Sequence, residues 1–214
     1  MIVHQIQQGS PEWLQLRLGK VTGTSLGRVF KADYLSLIDE LVSEQLTDMP
    51  ADDSFVSDAM QRGIDLQDDA LDLYEAMTGV TLIRGGFVQS DRFPLLGYSP
   101  DGRVGIAGGV EVKCPSSKRH VQYLRQAKLP AEYRWQVLGS FLINPDCEWY
   151  DFMSYDPRVQ QRPWFLHRTN RIDVVSELTE AEATLAKFFT KLDQVKSDIL
   201  FPLSSVGTQR IATS

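Results

Sequence analysis

The sequence is poor in the residues that build metal clusters and covalent scaffolds. It has two cysteines, Cys114 and Cys147, and three scattered histidines, His4, His120 and His167. Two thiols so placed make neither a disulfide framework nor a ligand-spaced pair, so a reducing, cytoplasmic setting is expected. The histidines are too few and too far apart for a His-based zinc site. No apolar run approaches the roughly 20 residues that span a bilayer. The opening MIVHQIQQGSPEW also lacks the basic-then-apolar order of a secretory leader, and no membrane partner is expected. Internal repeats, low-complexity tracts and a convincing linker are missing too. A chain of 214 residues, 43% apolar and 23% charged, then suits one domain with a substantial core. That domain is expected over 1–202, with 203–214 as a loose tail.

An excess of positive charge is lacking as well. The net charge is −6, which taken alone argues against nucleic acid. Its distribution argues the other way. Between Asp39 and Glu75 the acids face a single base, Arg62, whereas Trp13–Lys31 carries only bases: Arg17, Lys20, Arg28 and Lys31. From Lys113 to Arg134 six bases stand against Glu132. Such segregation gives either a basic surface able to grip phosphates or ordinary solvated helix faces.

What is present is a change of period along the chain. SPEWLQLR predicts a short helix from Ser10, followed by a Gly-containing turn and a second helix capped near Thr22 or Thr24. YLSLIDELVSEQL is amphipathic, with Leu35, Ile38, Leu41 and Val42 on one side. A long helix is expected from Ser54 to a Gly79 stop, with Gly63, Gln67, Ala70, Tyr74 and Met77 on one face. VTLIRGGFVQS, LLGYSPDGRVG and GGVEVKCP then read as a meander of short antiparallel strands. Ser116 or Ser117 caps a basic helix, and Pro130 opens another. Two aromatic-rich strands, CEWYDFMSYD and RPWFLHRTN, and a final amphipathic helix complete the chain. The class is α+β, a mixed central sheet flanked by helices.

The chemistry gathers at GYSPDGRVGIAGGVEVKCP, residues 97–115. In a strand, residues two apart share a face, so Glu111 and Lys113 project together while Val112 points into the core. Asp101 sits at the mouth of the preceding strand, where hairpin pairing brings its carboxylate beside Glu111. Two carboxylates so close repel, and a hard divalent cation with oxygen ligands removes the penalty. An ammonium at the rim orients a water or stabilises developing negative charge, a set suited to metal-assisted phosphodiester hydrolysis. Acid-x-Lys alone says little, since about one match is expected by composition. A solvated hairpin is the plain alternative.

The combination of Pro-Asp, a short hairpin and Glu-Val-Lys resembles the PD-(D/E)xK nucleases. The chain around it is similar to their phage lambda exonuclease branch, the YqaJ-type viral recombinases. EWLQLRLGKVTGTSLGRVF, AMQRGIDLQDDALDLYEAMTGV, SPDG, EVKCP, QVLGSFLIN and WYDFMSYDPR fall in that family's order. The resemblance implies an α/β/α restriction-endonuclease-like core. It implies Asp101, Glu111 and the backbone carbonyl of Val112 as ligands of Mg²⁺ (or Mn²⁺), Lys113 as the catalytic lysine and Gln136 as a glutamine facing the site. Arg17, Thr22 and Thr24 match the pocket for a terminal 5′-phosphate, an arginine fork with hydroxyls beside a helix start. The family usually carries a glutamate four residues after the glycine of the long helix. Here that position is Gln67, expected as an outer metal ligand, with Asp68 as the alternative about 100° away around the helix.

The activity so implied is a Mg²⁺-dependent 5′→3′ exonuclease on linear duplex DNA with a 5′-phosphorylated end. It would release 5′-mononucleotides and leave 3′ overhangs for phage-type recombination. A ring-shaped homotrimer and a single-strand annealing partner come with it. Restriction-like and RecB-type nucleases share the core, and a catalytically silent DNA-end-binding module is the rival prompted by Gln67. Relatives holding an iron–sulfur cluster are disfavoured, because the cluster takes four thiolates.

Elsewhere, Lys118 and Arg119 are further phosphate candidates, and His120 beside them is expected to face solvent. Trp13, Trp135, Trp149 and Trp164 offer stacking surfaces, but such aromatics belong more often to a core or a subunit contact. Cys114 is expected as a small buried residue, and Asp68-Asp69 as a solvated helix face.

Overall fold

The computed structural model describes residues 1–51 and 58–201. The expected start of the long helix at Ser54 and the tail at 203–214 lie outside the described residues.

Among the described residues, eight strands and seven α-helices follow in the order β1 (Ile2–His4), α1 (Pro11–Arg17), α2 (Leu26–Val29), α3 (Tyr34–Thr47), α4 (Asp58–Thr78), β2 (Ile83–Arg84), β3 (Phe87–Gln89), β4 (Gly97–Tyr98), β5 (Gly102–Val104), β6 (Gly108–Lys113), α5 (Ser117–Gln126), α6 (Arg134–Ile143), β7 (Trp149–Tyr155), β8 (Trp164–Asn170) and α7 (Val175–Leu200). The punctuation is local chemistry. Ser10 caps α1 by accepting the Trp13 N–H at 3.2 Å, and Pro11 fills the first turn. Gly79 ends α4 at φ +72°, a conformation that costs a side chain little only when it is absent.

The main sheet is mixed, in the order β2-β5-β6-β7-β8. β6 and β7 run parallel, from Gly108 opposite Trp149 to Lys113 opposite Ser154, and the other pairs are antiparallel. A parallel pair needs a crossover, which α5 and α6 supply. The predicted meander is not continuous. β3 and β4 leave it to form a separate three-stranded sheet with β1, a strand the sequence pattern did not announce.

Side-chain alternation sorts the main sheet into two faces. Val110, Val112 and Met153 pack with Ala70, Leu71 and Tyr74 of α4. Tyr150 and Phe152 pack on the other face with residues of α3, α6 and α7, among them Leu41, Leu138, Phe141 and Leu185. Helices thus cover both faces, the α/β/α arrangement expected. On α3 the buried set is Leu37, Ile38, Leu41 and Val42, while Leu35 is half exposed. Ile38, Leu41 and Val42 stand as predicted and Leu37 takes the place of Leu35, because at the helix start the two leucines fit the period almost equally well.

Among the described residues, the carboxylates of Asp151 and Asp156 are fully enclosed. Asp151 accepts two bonds from Arg168, at 2.8 and 2.9 Å, and one from the Tyr74 hydroxyl at 2.7 Å. With both oxygens satisfied it ties α4 to β7 and β8.

The β5–β6 pairing is close enough to require glycine. A Cβ on Gly109 would stand 2.6 Å from the Tyr150 ring and 2.9 Å from the Gly102 carbonyl oxygen. Gly109→Ala is therefore expected to destabilise by about 1–3 kcal/mol, seen as a melting temperature lower by several degrees. An unchanged Tm would show that the strands separate freely.

Candidate active site

Asp101 stands just ahead of β5, whose pairing with β6 begins at Gly102 opposite Val110. Two residues further along β6 the ladder has no partner residue in β5, and the Asp101 side chain takes its place. Its Oδ2 accepts the Val112 N–H at 2.7 Å. In an extended strand the N–H and C=O of one residue leave on the same edge, so the Val112 carbonyl also faces this side. Glu111 and Lys113 rise from the α6 face of the sheet, and Val112 is buried against α4, as alternation requires. The Glu111 side chain is 7% exposed; its Oε1 accepts from the Lys113 ammonium and from Gln136 Nε2, the latter at 2.9 Å.

Gln67 approaches from α4, its Nε2 3.1 Å from Asp101 Oδ1. Turning that amide over presents its oxygen instead. Asp68 points elsewhere: its side chain is 89% exposed and lies 3.7 Å from Arg84. Of the two candidates, Gln67 is the one at the site. Two helices on opposite faces therefore each send one glutamine to one carboxylate.

Burial, and then the charge of Glu111, raise the Asp101 pKa, against opposing effects of Lys113 and the Val112 N–H. Burial pulls Lys113 down, but Glu111 and Asp101 outweigh it and hold the amine above its ordinary value, as an ammonium. Cys114 is pushed up to about 11, chiefly by burial; a thiol in that state is not a nucleophile.

Among the described residues, no three His, Cys, Asp or Glu side chains gather as a metal-binding group. The donor set here is different: two carboxylates, an amide and a strand-edge carbonyl, all hard oxygens. Mutual repulsion of the carboxylates in a half-buried site is the cost that a divalent cation relieves. The residues fit such an ion.

Beside this cluster lies Arg17, the last residue of α1. Its guanidinium lies over the Trp13 ring, 4.1 Å from the centroid, and donates to Ser99 Oγ at 3.1 Å and Thr22 Oγ1 at 3.4 Å. Thr24 Oγ1 is 3.3 Å from Thr22 Oγ1. Burial lowers the Arg17 pKa, partly offset by Glu44. The turn after Arg17 is pinned from α3, where Glu44 accepts the Gly19 N–H at 2.8 Å and Gln45 donates to the Gly19 carbonyl at 2.9 Å. The following helix, α2, has only four residues, so the anion-binding character here belongs to the side chains rather than to a helix terminus. Arg17, Gly23, Thr24, Tyr98, Ser99, Glu111 and Gln136 line one pocket. The phosphate candidates and the carboxylate cluster are thus neighbours, although 82 residues separate Arg17 from Ser99.

Ser99, which lines this pocket, went unnoticed in the sequence, and Trp13 was noticed there only as a stacking surface. Ser99 accepts from both Arg17 and the Trp13 indole, the latter at 2.9 Å; its position two before Asp101 was the available signal. Trp13 supports Arg17, one helical turn away. Lys118 and Arg119 stand apart from the cluster. Both are exposed on α5, and Arg119 lies 3.5 Å from Glu132. His120 is not solvent-facing. It is fully buried, with Nδ1 2.7 Å from Ser154 Oγ and Nε2 2.8 Å from the Arg162 carbonyl, because its face of α5 packs on β7.

Residues 12–144 match the YqaJ-like viral recombinase domain. Among solved structures the chain is similar to an alkaline exonuclease, LHK-Exo, from Laribacter hongkongensis. Identity is 30% and the TM-score 0.75, over 89% of this chain and 98% of that one. The same protein in complex with dAMP matches over the same shares with a TM-score of 0.76. A phage-related exonuclease from Haemophilus somnus 129PT shares the fold, at 17% identity and a TM-score of 0.59, over 84% and 96% of the two chains. No curated protein matches.

Proposed function

Since the chain belongs to the YqaJ-like viral recombinase family, we propose that it is a Mg²⁺-dependent DNA exonuclease. It degrades one strand of linear duplex from a 5′-phosphorylated end, releasing 5′-mononucleotides. The observation that carries this reading is the shared pocket: Glu111 and Gln136 of the hydrolytic cluster border the same space as Arg17, Thr24 and Ser99. A phosphate held by the second group lies next to a phosphodiester addressed by the first.

Asp101, Glu111, the Val112 carbonyl and Gln67 would hold the ion. When bound, it would activate a water and offset charge on the leaving 3′ oxygen. Lys113, kept protonated, orients the attacking water and faces the negative charge that builds at the phosphorus. Gln136 fixes Glu111. Arg17 holds the terminal 5′-phosphate through a charge-assisted fork, with hydroxyls of Thr22, Thr24 and Ser99 beside it and Trp13 as its floor. Re-forming that grip after each cut favours forward steps.

Among the described residues no helix is long and apolar enough to cross a membrane. Action in the cytoplasm, a ring of three protomers around DNA and a single-strand annealing partner complete the reading, and these rest on family membership alone.

The deciding experiment compares end-labelled linear duplex with covalently closed circles, with and without a 5′-phosphate, in Mg²⁺ and in EDTA. Expected is mononucleotide release from linear ends in Mg²⁺ only, faster from phosphorylated than from hydroxyl ends. Cutting of closed circles would reassign the chain to a restriction-like or RecB-type endonuclease, and binding without release would make it an end-binding module. Arg17→Ala should slow degradation of phosphorylated ends by about 10- to 100-fold, the worth of a charged hydrogen bond, and leave hydroxyl ends nearly unaffected. Equal slowing of both would remove Arg17 from the phosphate pocket.

A further inference from the structure

Arg62 is the single base between Asp39 and Glu75, yet among the described residues no acid pairs with it. Carboxylates further along α4 are engaged elsewhere: Asp65 accepts from Gln61, and Asp68, Asp72 and Glu75 gather on Arg84. The Arg62 side chain is partly buried, and its Nε is enclosed without a hydrogen-bond partner. Its hydrogen bond runs from Nη2 to the Cys114 carbonyl, long at 3.4 Å. A cation so placed lacks both a counter-charge and a full set of acceptors, a cost that an incoming anion removes.

Its place beside the candidate active site follows from β6. Val112 and Cys114 pack in the same apolar cluster against α4, so side-chain alternation continues past Lys113. The Cys114 carbonyl then leaves on the same edge as that of Val112. Two residues of strand span roughly 7 Å, which matches the step between neighbouring phosphates of an extended strand. Along α4 the order is the same, since Gln67, which meets Asp101, comes after Arg62. Arg17 shares a pocket with Glu111 and Gln136 on the α6 face of the sheet, whereas Arg62 arrives from α4 on the other face. The two arginines therefore flank the carboxylates.

We propose that Arg62 binds the phosphate that follows the scissile one on the degraded strand. Terminal, scissile and following phosphates then meet Arg17, the carboxylate cluster and Arg62 in turn. The assignment deepens the exonuclease reading and rests on it, since only a 5′-phosphate at Arg17 fixes the direction in which the strand runs. On binding, the guanidinium exchanges its long Cys114 contact for charge-assisted bonds to phosphate oxygens. Such a contact reads no sequence; it sets the register of the strand on the ion.

The test uses the full chain in Mg²⁺ and 5′-phosphorylated duplexes in which a single linkage of the degraded strand is a neutral methylphosphonate. Neutralising the second linkage from the 5′ end should lower kcat/KM for release of the first nucleotide by about ten-fold or more. The same change far inside the duplex should have little effect. Arg62→Ala should lose about as much on the ordinary duplex, chiefly in KM, and nothing further when the second linkage is already neutral. Arg62→Lys, which keeps the charge, should recover part of the loss. In the alanine variant the salt slope of log(kcat/KM) should also fall by about 1, the share of one phosphate. A harmless second linkage, or losses from variant and neutral linkage that multiply, would overturn the proposal. Should the alanine variant not fold, the neutral linkage in the unaltered protein decides. Cutting of closed circles by the parent is the separate sign that the exonuclease reading has failed, and this inference falls with it.

Discussion

Replacing Lys113 by alanine is expected to reduce mononucleotide release by about 10³-fold or more while duplex binding stays within a few-fold of the parent. The size follows from what the ammonium does. It is bonded to Glu111, held charged by two carboxylates, and only 28% exposed. In such a place a preformed positive charge is worth far more against developing negative charge than it is in water. A single donor of this type contributes about 10²–10³ in rate, and loss of water orientation adds to it. Binding is spared on this reading, because the groups proposed to grip the 5′-phosphate are Arg17, Thr22, Thr24 and Ser99. Quenched-flow release from labelled duplex, together with fluorescence anisotropy for binding, reads the two quantities separately. Turnover within ten-fold of the parent would remove Lys113 from the chemistry.

Asp101→Asn should cost a comparable factor, about 10³-fold, with an opposite effect on stability. In the parent, burial first and then the charge of Glu111 raise the Asp101 pKa, so its charged form is disfavoured in the fold. A group whose folded pKa is raised is disfavoured in its charged form on folding, so neutralising it stabilises. The amide keeps an acceptor for the Val112 N–H and nearly the same volume. The metal-free variant should therefore melt at or above the parent's temperature, and the upward shift expected from Mg²⁺ in the parent, by binding the folded state, should be missing. A lower melting temperature with Mg²⁺ stabilisation intact would place the ion elsewhere. An active site that weakens its own fold in this way is a common trade between stability and function.

Much of this was legible in the chain, for a definite reason. A strand has a period of two, so Glu-Val-Lys in a β-run places Glu111 and Lys113 on one face and Val112 on the other before any tertiary contact is known. The Pro-Asp turn placed Asp101 near Glu111 for the same local reason, since a hairpin of this length returns the chain on itself. Arg17 with Thr22 and Thr24 was picked out by resemblance, because periodicity gives no hint that an exposed-looking arginine meets a strand end 82 residues later.

What the sequence by itself determined is therefore the inventory and the local geometry: helix, strand and turn types, and which acid and base share a face. Only the tertiary structure put Gln67 rather than Asp68 beside Asp101, buried His120, split β3 and β4 into a second sheet, and brought Ser99 and Trp13 to Arg17. Local pattern is set by backbone sterics and burial within a few residues. The choice among distant partners depends on how helices pack across a sheet, and a helix turned by one residue presents a different side chain to the same carboxylate.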